Sequence, residues 1–94
     1  MKTKLTTWDA AEHLKTKQDM ARYLAGAFAD GDPALIAAAL GDIARAQGMT
    51  KLAQKTGLGR ESLYKSLSKK GNPELATVLK IFEAVGLRLQ AVPA

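Results

Sequence analysis

The chain contains no cysteine. That excludes a disulfide framework, a thiolate metal site and cysteine nucleophile chemistry. Aromatic residues are scarce: two Phe, two Tyr and one Trp in 94 residues. Histidine occurs once, at His13, and a single imidazole cannot supply the several ligands that zinc prefers. No apolar run approaches the ~20 residues needed to cross a bilayer, and the polar N-terminus carries no signal-peptide core. The expected location is therefore the cytoplasm. A chain this short buries only about 60–70% of its extended surface, which leaves little volume for a deep catalytic cavity. No enzyme activity, cofactor or metal is expected.

What remains is Ala, Leu and lysine, and the charge is unevenly spread. Residues 1–40 carry five basic and five acidic side chains, whereas residues 41–94 carry nine and four. Between positions 50 and 70 the imbalance peaks: Lys51, Lys55, Arg60, Lys65, Lys69 and Lys70 stand against Glu61 alone. A clustered positive surface suits a polyanion, although a solvated lysine face has the same composition.

Hydrophobic periodicity divides the chain into short helices. Residues 2–6 alternate weakly and read as an edge strand. Thr7 or Asp9 can cap a short helix to Leu14. Thr16 caps a helix over residues 17–30, with Met20, Leu24, Ala27 and Phe28 on one face. Gly31 stops it. Asp32-Pro33 is a cap followed by a first-turn proline. The helix it opens runs to about Gln47, with Ile36, Leu40, Ile43 and Gln47 in register on the inner face and Ala39 beside them. Gly41 inside that helix costs about 1 kcal/mol against Ala and points to a close helix crossing. Asn72-Pro73 repeats the cap device before a stripe of Leu75, Val78, Leu79, Phe82 and Val85 that ends at Gly86. "LRLQAV", residues 87–92, alternates as a strand does, and a lone strand needs a partner edge. The fold class is mostly α in a single domain: an N-terminal extension over residues 1–31, a helical core over 33–86 and a C-terminal strand over 87–92.

The most informative stretch is "KLAQKTGLGRESLYKSL", residues 51–67. Gly57-Leu58-Gly59 breaks an otherwise good helix. Gly57 reaches a positive φ without a steric cost, Leu58 can turn back to the core, and the small Ala53 lets a second helix cross close by. In a second helix of residues 60–69, Leu63 and Leu67 face inward. Glu61, Lys65, Ser68 and Lys69 then face out, with Ser62 and Tyr64 on the flanks. Such a helix, ~15 Å long, matches a major groove about 12 Å wide.

Ala53, Gly57, Leu58, Leu63 and the following "GNPELATVLKIFEAVGL" resemble the helix-turn-helix of lambda-repressor-like, Xre-type regulators over residues 33–86. "LTTWDAAEHLKT", "GDPALIAAALGDIARAQGMT" and "NPELATVLKIFEAVGLRLQA" together resemble the HigA-type addiction-module antidote family over nearly the whole chain. This resemblance implies an antitoxin that neutralises a RelE/ParE-like toxin. It also implies a homodimer that binds double-stranded operator DNA and represses its own operon. By motif position it gives Arg60, Glu61, Tyr64 and Lys65 to base contacts, and Lys51, Lys55, Lys69 and Lys70 to phosphates. Arg and Lys can donate to guanine, and Glu can accept from cytosine. Phosphate contacts add affinity without sequence information. Leu87, Leu89 and Ala91 are candidates for a dimer strand, and the helices before Gly31 for toxin contact. The chain departs from the motif at three places: Gly48-Met49 stands where a polar cap and Gln are usual, Gly59 where Ser or Thr caps, and Ser66 where an aliphatic residue packs.

Two other functions fit the same residues: a phage or metabolic repressor without a toxin, and a protein-interaction module whose lysines only solubilise it. Ser62-x-x-Lys65, Ser66-x-x-Lys69 and Lys55-Thr56-Gly57 echo penicillin-binding enzymes, but those need a large two-part fold. Asp9 and Glu12 read as helix-capping charges, and Trp8 as a packing anchor or interface residue. Tyr64 reads as core if it packs inward and as a DNA contact if it points out. Arg60 reads equally well as a solvated first-turn residue.

Overall fold

The computed structural model describes residues 13–94 apart from Lys69. The expected first strand, the first helix as far as residue 12, Trp8 and Lys69 lie outside the described residues. Among the described residues five α-helices follow in order: α1 Lys17–Asp30, α2 Pro33–Gln47, α3 Met49–Thr56, α4 Arg60–Ser66 and α5 Leu75–Val85. The chain is mostly α, as expected.

The capping chemistry sets most of the boundaries. The Thr16 hydroxyl accepts the Asp19 amide at 3.0 Å, and Asp32 accepts the Ala34 amide at 3.0 Å ahead of Pro33. Each satisfies an amide that the first helical turn leaves open. α5 ends in a Schellman motif: Gly86 takes φ 82° and its amide donates to Glu83 O at 3.2 Å, while Leu87 N–H reaches Phe82 O at 2.8 Å. α5 begins later than Asn72-Pro73 suggests. Its N-cap is Glu74, which is extended and makes no side-chain cap bond, and Asn72 and Pro73 lie before it in non-helical chain.

The core is contributed by every helix. Leu14, Met20, Leu24 and Ala27 meet Leu40, Ile43 and Ala44 of α2, and Met49, Leu52, Leu63 and Leu67 close one side. Val78, Ile81, Phe82 and Val85 of α5 complete it. The α5 stripe is narrower than expected and rotated: Ile81 is fully buried, whereas Leu75 is 66% and Leu79 47% exposed. Residues 78, 81, 82 and 85 share one face, and the first-turn leucine and its i+4 neighbour lie beside it. Phe28 is likewise only half covered, tilted against Phe82 with ring centroids 6.3 Å apart. Among the described residues no polar or charged side chain is fully buried. The Tyr23 hydroxyl ties α1 to α2 by donating to Asp42 at 2.5 Å, and Arg45 holds the same carboxylate at 2.7 Å. Gln47, expected on the inner face, is half-buried and donates to Leu14 O at 3.4 Å.

Residues 87–92 are not a strand here; no strand occurs among the described residues. Leu87 is half-buried against the core, and Arg88 to Ala94 are exposed, Leu89 and Ala91 among them. Alternation decides which faces a strand would present, but a ladder needs a second edge, and the described protomer offers none. Gly41 does mark a close crossing. It is buried, and a Cβ there would fall well inside contact distance of the Leu67 carbonyl oxygen.

Candidate nucleic-acid interface

The corner between α3 and α4 is built by three residues. Gly57 ends α3 with φ 75° and ψ 10°, its amide donating to Ala53 O at 2.9 Å. A Cβ there would meet nothing within 4 Å, so the requirement for glycine is the left-handed backbone alone. Leu58 turns back against the core and is half-buried. Gly59 is extended, at φ −72° and ψ 143°, and its carbonyl accepts the first bond of α4 from Leu63 N–H at 3.0 Å. The Thr56 side chain also braces the corner. Its hydroxyl donates to Leu52 O at 2.8 Å and accepts from Leu58 N–H at 3.3 Å. Its signal in the sequence is a hydroxyl residue in the last turn before a glycine, where a side chain can serve both the helix and the turn.

Two leucines then fix the orientation of α4. Leu63 and Leu67 are both almost fully buried, so the opposite face must look outward. Arg60, Glu61, Ser62, Tyr64 and Lys65 are exposed on it. Tyr64, which the helical wheel leaves on a flank, points outward at 45% exposure. The Arg60 guanidinium lies over the Tyr64 ring, 5.7 Å from its centroid. This contact contributes about 0.5–1 kcal/mol at an exposed site and limits where Arg60 can reach.

The helix is shorter than the expected span to residue 69. It ends at Ser66, and Leu67 leaves helical geometry at φ −99° and ψ 37°. The Ser66 and Ser68 hydroxyls donate back to Leu63 O at 3.5 Å and Lys65 O at 3.1 Å. Gly71 N–H closes a turn onto Ser68 O at 2.8 Å. Local side-chain and turn bonds thus replace the helical ladder. At the Ser66 position the sequence departs from an aliphatic pattern, and Leu67 carries the packing there.

Lys51 and Lys55 are exposed on α3, and Lys70 is exposed in the turn after α4. Lys65 and Lys70 share a shallow concavity of about 450 Å³ with Ser62, Ser66, Ser68 and Asn72. Asn72 joins this concavity beyond the turn that Gly71 N–H closes on Ser68 O, where helical periodicity does not extend. The two ion pairs among the described residues, Arg22 with Asp19 and Arg45 with Asp42, leave this face untouched. Five cations, Lys51, Lys55, Arg60, Lys65 and Lys70, therefore remain without an acidic partner among the described residues. Gly48 opens α3 without a side-chain cap bond, and Met49 is buried, so neither the cap nor the first residue of α3 offers a polar side chain. The expected dimer-strand residues Leu87, Leu89 and Ala91 belong to the segment after α5, which lines an apolar groove with α1. Among the described residues there is no cluster of metal-ligating side chains and no helix long and apolar enough to cross a membrane.

Comparison with known proteins assigns the chain. A family model described as "Probable addiction module antidote protein" matches residues 4–93. An uncharacterized protein of Haemophilus influenzae is 43% identical over 90 residues, covering 96% of this chain and 93% of its own. No solved structure matches. The match over nearly its full length, on a chain whose described residues form short helices with an exposed basic corner, makes this protein a member of the addiction module antidote family, whose role implies a toxin as partner.

Proposed function

We propose that the chain is a DNA-binding antitoxin of the HigA type, with α3 and α4 forming an Xre-type helix-turn-helix. It represses its own operon as a homodimer, neutralises a small RelE/ParE-like toxin and has no enzymatic activity. The observation that carries the DNA reading is the outer face of α4. Leu63 and Leu67 anchor the helix, while Arg60, Glu61, Tyr64 and Lys65 stand clear of the body. Lys65 and Glu61 supply the donor and acceptor for base edges, and Arg60 reaches a base or a phosphate from its seat over Tyr64. Lys51, Lys55, Lys69 and Lys70 flank the helix in sequence and serve as phosphate contacts, which set affinity and salt dependence.

Dimerisation would place two copies of α4 about 34 Å apart on a palindromic operator. The tail carrying Leu87, Leu89 and Ala91 has no ladder partner among the described residues of its own protomer, and a second copy would supply one. The toxin contact is assigned to the helices before Gly31, which lie outside the α3–α4 motif in sequence.

The test is co-expression with the product of the adjacent gene, followed by binding of the purified chain to its own promoter. Co-purification of a small basic protein together with promoter-selective binding is the expected result. Promoter binding without a toxin partner would favour an ordinary repressor. Toxin binding without DNA binding would leave only a protein-interaction module.

A further inference from the structure

α4 is only seven residues long and has no side-chain cap at its start. Two buried leucines define which face points inward, but they leave its tilt and its depth against the body open. Those are fixed at the other end, by backbone touching backbone. Gly41, in the middle of α2, faces the Leu67 carbonyl so closely that a Cβ would lie far below 3.0 Å from the oxygen and 3.4 Å from the carbonyl carbon. Only a hydrogen fits there, in the manner of a Cα–H···O contact. From the other side, Gly71 lies against the same turn. A Cβ on it would collide with the Ser66 oxygen, and would stand 2.5 Å from the Ser66 carbonyl carbon and 2.6 Å from Lys65 O.

Neither glycine has a positive φ, in contrast to Gly31, Gly48, Gly57 and Gly86. Conformation therefore does not demand glycine at 41 or 71; proximity does. The atoms they approach are the carbonyl groups of Lys65, Ser66 and Leu67, the last turn of α4 and the backbone that bears Lys65. A backbone carbonyl cannot swing aside as a lysine tip can, so an added methyl must displace the turn.

We infer that Gly41 is a positioning residue for DNA reading, with Gly71 as its counterpart. Together they seat the end of α4 so that Lys65 meets base edges at the right depth. This inference rests on the DNA-binding reading above. It separates two quantities that a general loss of stability would move together. Phosphate contacts come from flexible lysines and tolerate a small tilt of α4, whereas a base contact does not.

The experiment uses the full chain as Gly41→Ala and Gly71→Ala, with Gly26→Ala as control, since a Cβ at Gly26 meets nothing within 4 Å. Affinity is measured for a duplex of the chain's own promoter and for a scrambled duplex of equal length, across a salt series, beside thermal unfolding. The expected result is a loss of about 5- to 150-fold in preference for the promoter, the range of one base contact. Scrambled-duplex affinity and its salt slope should stay within about twofold, since no phosphate contact is removed. Gly26→Ala should match the wild type in both affinities and melt above it, because alanine is favoured over glycine inside a helix. The inference is overturned if folded Gly41→Ala keeps the wild-type preference, or if both affinities fall in parallel. It is equally overturned if neither variant unfolds cooperatively, because a glycine needed merely to fold is not a positioning residue. A wild-type chain that shows no promoter preference at all refutes the parent reading, and this inference with it.

Discussion

Gly57→Ala probes the corner on which the proposed interface depends. The perturbation is unusually clean. Gly57 sits at φ 75° and ψ 10°, and a Cβ there would meet no heavy atom within 4 Å. The added methyl opens no cavity and meets no clash, so the cost is that of a left-handed alanine, about 1–2 kcal/mol. Gly59, two residues on, serves as the internal reference. Its φ of −72° suits any L-residue, and the nearest atom to a Cβ would be Ser62 Oγ at 3.7 Å. At the N-cap of α4 alanine is less favoured than glycine, but it also narrows the unfolded ensemble, so the two effects oppose each other and Gly59→Ala should change stability by less than about 1 kcal/mol. For a chain of this size, 1 kcal/mol shifts Tm by about 4–8 °C, so Gly57→Ala should melt roughly 4–16 °C below the wild type. Urea unfolding of both variants beside calorimetry gives the comparison, and m should not change if the fold is kept. D-alanine at position 57, introduced by chemical synthesis, should instead stabilise by about 0.4–1 kcal/mol, because it suits the left-handed region and narrows the unfolded ensemble. Equal melting temperatures for Gly57→Ala and Gly59→Ala would refute the reasoning, since the backbone would then not depend on the glycine at the corner.

Lys65→Ala should weaken promoter binding by about 1–3 kcal/mol and relax selectivity at one operator position; unchanged binding to all sequences in a competition assay would remove Lys65 from base reading. Lys55→Ala should weaken binding to every duplex alike and lower the slope of log K against log salt by about 0.9 for each phosphate the side chain had neutralised; an effect confined to one sequence would contradict that role. Tyr23→Phe removes the bond to Asp42 and should cost about 1 kcal/mol at neutral pH. Burial first, then the hydrogen bond to Asp42 and its charge, push the Tyr23 hydroxyl up to about 12 from 10.0. A folded-state value above the unfolded one gives stability that is full below pH 10 and lost as pH rises towards 12. The Phe variant should therefore show a flatter stability profile across pH 10–12, and parallel profiles in urea unfolding would argue against the shift.

The readable parts of the chain are those written in local chemistry. Thr16, Asp32-Pro33, Gly31, Gly57 and Gly86 each state a helix end through a capping hydroxyl or carboxylate or a left-handed backbone, and the structure keeps all five. Leu63 and Leu67 declare the inner face of α4 by their spacing, which leaves Lys65 and Glu61 outside. Other features escape such a reading because their outcome depends on neighbours remote in sequence. Periodicity puts the α5 stripe on Leu75 and Leu79 with their neighbours, and the helices packed there choose Ile81 instead. The strand pattern of residues 87–92 carries a face preference, yet a strand exists only where another edge meets it.

The outward setting of Tyr64 also waits for the fold, because its flank position on the wheel allows either side. The grip of Gly41 and Gly71 on the end of α4 is only half visible. A glycine inside a helix signals close approach, but sequence spacing does not say which carbonyl comes near. What the sequence determined by itself was the run of helices between Thr16 and Gly86, those ends that carry a capping side chain or a left-handed glycine, and the exposed basic residues around α4, since short-range hydrogen bonding, φ preference and side-chain periodicity act over a few residues. What the tertiary structure decided was how α4 is tilted and braced, and which leucines stay uncovered. Those depend on contacts between segments tens of residues apart, and packing alone selects them.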